Sequence, residues 1–217
     1  MNIEQARFNM IEQQIRPWDV LDPEVLSLLA VLRREDFVPP AYRSLAFMDM
    51  EVPLPDGQCM LAPRVEARLL QELQLQRHER VLEIGAGSGF MAALLAHRAR
   101  QVLSLELSET LARMAADNLH LAGVTNAAVR CADGANGDRG EAPFDAIVLS
   151  GSVALVPRAL LEQLKIGGRL VAIVGDEPVM RARLHTRMDE QSWSQVDLFD
   201  TVAPRLKNFP TGERFHF

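Results

Sequence analysis

Apolar positions change their period twice along this chain of 217 residues. Between residues 3 and 15, Ile3, Arg7, Met10, Ile11, Gln14 and Ile15 fall on one helical face that is mostly apolar, and Pro17 ends the stretch. Asp22-Pro23 supplies an N-cap and a first helical position, which predicts a helix through about Leu32. "FVPPAY" breaks the pattern, and "VPLPDGQCMLAP" (residues 52–63) reads as an irregular loop. A helix resumes from about Arg64 to Leu73.

After Arg80 short apolar runs take over. "RVLEIG" reads as a short buried strand, "QVLSLE", "AAVRCADG" and "FDAIVLSG" as strands, and "RLVAIVG" as another apolar strand. The segments between them include helices: "FMAALLAHRA", "SETLARMAADNLHLAG" capped by Ser108 and stopped by Gly123, and "PRALLEQLKIGG". Strands alternating with helices of this length predict a parallel sheet built from right-handed crossovers. Near the C-terminus the period becomes two. Met180, Ala182, Leu184 and Met188 alternate with Arg181, Arg183, His185 and Arg187, and Val196, Leu198 and Val202 repeat the alternation after a polar turn at Asp189. The expected fold class is α/β: a mostly parallel sheet with an antiparallel C-terminal hairpin at one edge, plus an N-terminal helical segment.

Composition narrows the picture only modestly. The chain is 48% hydrophobic and 24% charged, enough for one sizeable core. A net charge of −6 without a block of like charges argues against a long phosphate-binding surface, so no nucleic-acid partner is expected. Cys59 and Cys131 lack metal-ligand spacing, which predicts buried free thiols and no metal site. "MNIEQARFNM" has no apolar signal core, and no run approaches a membrane span, so a cytoplasmic protein without a membrane partner is expected. His78, His97, His120, His185 and His216 form no motif and read as surface or helix-end residues. The tail "NFPTGERFHF" reads as a cover for apolar surface, with an acceptor lid or a subunit contact as the alternative.

The stretch "VLEIGAGSGF", residues 81–90, carries the candidate chemistry. Gly85, Gly87 and Gly89 let a strand turn tightly into a helix while the backbone passes close to a ligand. No lysine follows, as a triphosphate-binding loop requires. A dinucleotide fingerprint would place its third small residue at Phe90, which is too bulky for close helix–strand packing. An acid just before the glycines, Glu83, would repel a pyrophosphate but attract an ammonium. The next strand ends in Glu106, able to accept hydrogen bonds from two ribose hydroxyls, and the third in Asp133-Gly134, able to accept from an adenine amine. Together these features fit S-adenosylmethionine. An Asn/Asp-Pro-Pro-aromatic loop, common in nucleic-acid amino-methyltransferases, is replaced after the fourth strand by Leu149-Ser150-Gly151-Ser152.

With these residues in view, the chain resembles the protein-L-isoaspartate O-methyltransferases. The likeness rests on "LDPEVLSLLAVLRREDFVPPAY", "VPLPDGQCMLAP", "VLEIGAGSGFMAALLA", "DGANG", "APFDAIVLSGS" and "LLEQLKIGGRLVAIVG". It implies a Rossmann-like, seven-stranded methyltransferase sheet in a single domain over residues 1–217. Residues 1–76 would form the helical segment and acceptor loop, and residues 77–217 the cofactor-binding sheet. It also implies S-adenosyl-L-methionine as cofactor and methylation of the free carboxyl of L-isoaspartyl residues in damaged proteins. Glu83, Gly85 and Gly87 would line the methionine end, Glu106 and Leu107 would hold ribose and adenine, Asp133 and Gly134 the adenine edge, and Gly89 would be a further cofactor-binding position. Gln58, Leu61 and Ser150 would face the acceptor.

One departure qualifies the resemblance. The family's acceptor loop usually reads GQTISQP, and its serine is assigned the active-site role. Here the loop reads Gly57-Gln58-Cys59-Met60-Leu61-Ala62-Pro63, with Leu61 in the serine's place, so no catalytic residue is assigned. Three readings stay open: isoaspartyl methylation, methylation of another acceptor such as a small molecule, and cofactor binding without turnover. Oligomeric state is not legible.

Overall fold

The computed structural model describes residues 2–211. Its first helix, α1 (Ile3–Met10), runs on through a π-helical turn over Ile11–Ile15 and a 3-10 turn over Arg16–Trp18. Met10, Ile11 and Ile15 are buried as their spacing requires, whereas Ile3 is exposed. Asp22 caps α2 (Pro23–Val31) by accepting from the N–H groups of Glu24 and Val25. The proline-rich loop that follows is more ordered than its sequence indicates. Two-residue strands β1 (Val52–Pro53) and β2 (Cys59–Met60) pair antiparallel and hold residues 54–58 as a small hairpin. Pro63 then opens α3 (Pro63–Leu73).

The remaining elements alternate as the apolar runs demand: β3 (Arg80–Ile84), α4 (Phe90–Arg98), β4 (Gln101–Glu106), α5 (Glu109–Leu121), β5 (Ala127–Cys131), β6 (Phe144–Val153), α6 (Arg158–Leu161), β7 (Leu164–Asp176), β8 (Val179–Arg187) and β9 (Trp193–Asp200). The seven longer strands form one sheet in the order β5-β4-β3-β6-β7-β8-β9. Pairings from β5 through β7 are parallel, and β8 runs antiparallel to both β7 and β9. The mostly parallel sheet with a C-terminal antiparallel hairpin is thus present.

The strands read as continuous apolar runs because both sheet faces are covered. Val81, Val102, Ala146, Val148, Val171 and Ile173 join the helices from α1 to α5 in one apolar cluster. Their alternates Leu82, Leu103, Ile147, Leu149, Leu170 and Ala172 form a second cluster with Leu160, Leu164 and Phe209. The N-terminal helices therefore pack on the same core as the sheet.

Three expectations are corrected. The helix expected through "PRALLEQLKIGG" lasts one turn, and strand β7 begins at Leu164. The carbonyls that would continue it are claimed from elsewhere: Trp193 Nε1 donates to Leu161 O, Arg187 Nη1 to Glu162 O and Leu164 O, and the Gln163 amide to Ala159 O. His185 is buried, only 7% exposed, because it pairs opposite Leu170 on the second apolar face. Cys131 is exposed on the edge strand β5, and Cys59 is half-buried. Of the aromatic tail, Phe209 joins the second apolar cluster, while Phe215, Phe217 and His216 lie outside the described residues.

Candidate active site

Strand order reverses at β3, whose neighbours are β4 on one side and β6 on the other. In an open α/β sheet the crevice at the carboxyl ends of such strands is where ligands bind. A cavity of about 340 Å³ lies there. It is lined by Gly85 and Gly87 after β3, Glu106 at the end of β4 and Leu107 just beyond, Asp133 and Gly134 after β5, and Ser150 on β6.

Each floor residue is held by the backbone around it. Glu106 is nearly buried; its Oε2 accepts from Gly87 N–H at 2.9 Å and its Oε1 from Ser108 N–H at 3.0 Å. Asp133 Oδ1 accepts from Ala135 N–H at 3.0 Å, and its Oδ2 from the Asn208 amide at 2.8 Å. Every carboxylate oxygen keeps a further lone pair for a ligand hydroxyl or amine. Leu107 is 43% exposed and supplies an apolar wall.

The glycines divide by task. A Cβ on Gly87 would meet only the tip of Leu54, at 3.3 Å, so packing within the protein leaves this position open. Gly89 lies outside the cavity lining. A Cβ there would come within 2.9 Å of the Ala115 carbonyl oxygen, so Gly89 serves the close approach of α4 to α5. Of the expected cofactor-binding residues, Gly89 and Glu83 are the two that this cavity's lining does not include. Gly134 gives room to Ile84, and Gly85 to Leu206.

Glu83 also differs from expectation. It is fully buried, accepts from the Ser104 hydroxyl at 2.6 Å and the Ser150 hydroxyl at 2.8 Å, and stays out of the larger cavity. Burial pushes its carboxyl up to about 7, against the pull of the two hydroxyls. It borders a separate void of about 20 Å³ beneath the glycine loop, together with Leu61, Glu66 and Ser150.

On the acceptor side, the hairpin brings Asp56, Gln58 and Cys59 to the larger cavity. Ser108 donates its hydroxyl to Asp56 and ties the hairpin to the start of α5. Burial, reinforced by Glu51, raises the Cys59 thiol to about 12, so it stays protonated at neutral pH. Leu61 does not reach the larger cavity. It is 6% exposed, and its carbonyl accepts from Arg34 Nη2 at 2.8 Å. Arg34 is itself buried, paired with Glu66, bonded to Ala46 O and stacked over Phe90.

Sequence reasoning missed one wall. Leu206, Lys207 and Phe209 line the cavity from the C-terminal side. The backbone of Leu206 donates to Ser152 O, and Ser152 N–H donates to Pro204 O, laying this segment along the end of β6. No periodicity marks such a segment; its only sequence signal is Phe209, an apolar residue beyond the last strand. Among the described residues no group of three or more His, Cys, Asp or Glu side chains is placed to hold a metal ion. No helix among them is long and apolar enough to cross a membrane.

Comparison with known proteins follows the same outline. The family model for protein-L-isoaspartate(D-aspartate) O-methyltransferase matches residues 5–202. Protein-L-isoaspartate O-methyltransferase 1 of Syntrophobacter fumaroxidans is 42% identical over 176 residues, covering 81% of this chain and 82% of that one. Protein-L-isoaspartate O-methyltransferase 2 of Marinobacter nauticus is 38% identical over 200 residues, covering 92% and 91%. The fold matches that of a Plasmodium falciparum protein described as a protein-L-isoaspartate O-methyltransferase, solved with S-adenosyl-L-homocysteine. The TM-score is 0.80 at 19% identity, over 95% of this chain and 99% of that one. A model match across nearly the whole chain and two relatives near 40% identity agree with the order of acids at the strand ends, and the chain belongs to the protein-L-isoaspartate O-methyltransferase family.

Proposed function

We propose that this protein methylates the free carboxyl of L-isoaspartyl residues, using S-adenosylmethionine. The observation that carries the reading is the cavity itself. Gly87, Glu106 and Asp133 line it in an order that would serve methionine, ribose and adenine, and the 54–58 hairpin borders it where the acceptor would enter. Relatives and family model carry the same activity in their names.

The residues present fit the cofactor. The space in front of Gly87 is left open by the protein's own packing, and a side chain there would fill it. Glu106 and Asp133 offer acceptors to ribose hydroxyls and to an adenine amine. When bound, S-adenosylmethionine supplies a sulfonium methyl open to in-line displacement. The acceptor carboxylate is already ionised at neutral pH, so the protein needs no general base. Its work is alignment and exclusion of water. The hairpin and the 203–209 segment do the excluding, and the Glu106 contacts to Gly87 and Ser108 fix the floor. The Leu61 side chain lies outside the larger cavity's lining, so the leucine in the family's usual serine position supplies no donor there and does not block the cavity.

A turnover assay with matched isoaspartyl and aspartyl peptides tests the reading. Methyl transfer to the isoaspartyl peptide alone is expected, with binding of S-adenosylmethionine and S-adenosylhomocysteine by calorimetry. Binding of both adenosyl ligands without transfer to either peptide would overturn the assigned acceptor.

A further inference from the structure

Asp56, Glu106 and Asp133 give the cavity lining three carboxylates, and the lining's one cationic side chain among the described residues is Lys207. An anionic acceptor entering this cavity meets like charge on the floor and on the hairpin. It also needs donors. Those the lining offers are mostly committed: Ser150 donates to Glu83, Ser108 to Asp56, and the Gln58 amide to Asp56 O at 3.4 Å. Cys59, a protonated thiol, is a weak donor. The Lys207 ammonium makes no hydrogen bond or ion pair among the described residues, and the residue is exposed and lines the cavity.

Its two neighbours, by contrast, are anchored, one by its backbone and one by its side chain. Leu206 N–H donates to Ser152 O at 2.9 Å, and the Asn208 amide donates to Asp133 Oδ2 at 2.8 Å. Lys207 is thus an unpaired charge, among the described residues, on a segment anchored at both of its neighbours, and it shares the cavity lining with Asp56, Gln58 and Cys59 of the hairpin. We propose that Lys207 binds and orients the acceptor carboxylate, supplying the donor that Leu61 cannot. The inference rests on the isoaspartyl reading and names the residue that recognises that substrate.

Lys207→Met keeps the length and removes the charge; Lys207→Arg keeps the charge. With Lys207→Met, kcat/KM for an isoaspartyl peptide should fall about ten- to a hundredfold. The loss should sit mainly in KM, and calorimetry should show S-adenosylmethionine affinity unchanged within about twofold. Lys207→Arg should recover much of the loss, and the dependence of kcat/KM on ionic strength should flatten in Lys207→Met. Unchanged kcat/KM in Lys207→Met would overturn the inference while leaving the isoaspartyl reading intact. An equal loss of cofactor affinity would also overturn it, by moving Lys207 to the cofactor's own carboxylate. A wild type that neither methylates the peptide nor binds it when loaded with S-adenosylhomocysteine would overturn both.

Discussion

Both carboxylate oxygens of Glu83 are engaged by serine hydroxyls, and burial lifts its pKa from 4.5 to about 7. The folded state therefore binds a proton more tightly than the unfolded chain does. That stabilisation is fully present below about pH 4.5 and is lost as pH rises through 7. Glu83→Gln, which cannot ionise, should escape the loss. Urea midpoints at pH 5 and pH 8 should show the variant gaining on the wild type at the higher pH; equal differences at both would remove the argument. Glu66, also raised to about 7 by burial, and His185, lowered to about 4 by burial, are common to both proteins and cancel to first order in the comparison. At this scale the sequence showed which acids end the strands but not what each would face. Ser104 and Ser150 lie 21 and 67 residues from Glu83, and only the sheet brings all three together.

Between elements, the glycine loop has two separable duties. Gly89, with φ of 85°, allows α4 to approach α5, where a Cβ would press on the Ala115 backbone. Gly89→Ala should lower stability by about 1–3 kcal/mol through strain and overlap, read as a fall in the urea midpoint, with cofactor affinity of the folded protein little changed. Gly87→Val should show a much greater loss of cofactor affinity, because its side chain would enter the cavity. Calorimetry on both variants separates the duties; equal affinity losses would mean that the loop acts as one unit. Element identities were largely legible because strand and helix periods differ. Their limits were less so. Leu161 through Ile166 continue a helical pattern, yet arginine and tryptophan side chains from β8 and β9 take the carbonyls of Leu161, Glu162 and Leu164.

Across the whole molecule, Arg34 joins the N-terminal helices to the acceptor loop and to α3. It bonds to Ala46 O and Leu61 O and pairs with Glu66, all out of water. Glu66→Ala should cost about 3–5 kcal/mol, since it leaves a buried guanidinium without its counter-ion. Arg34→Met combined with Glu66→Leu should recover much of that loss. Chemical denaturation of the three proteins checks this; a double variant no more stable than Glu66→Ala would give Arg34 a role beyond charge pairing, through its two carbonyl contacts. This link was invisible in the sequence, where Arg34 sits in a run of ordinary charged residues. The cavity shows the same long reach, with walls drawn from Asp56 on one side to Phe209 on the other. During synthesis every strand of the sheet is made before its last wall, because residues 203–209 follow β9. The sheet and the cavity it borders are therefore completed in that order, and a chain cut short after β9 would keep its strands but lose the Leu206, Lys207 and Phe209 part of the lining.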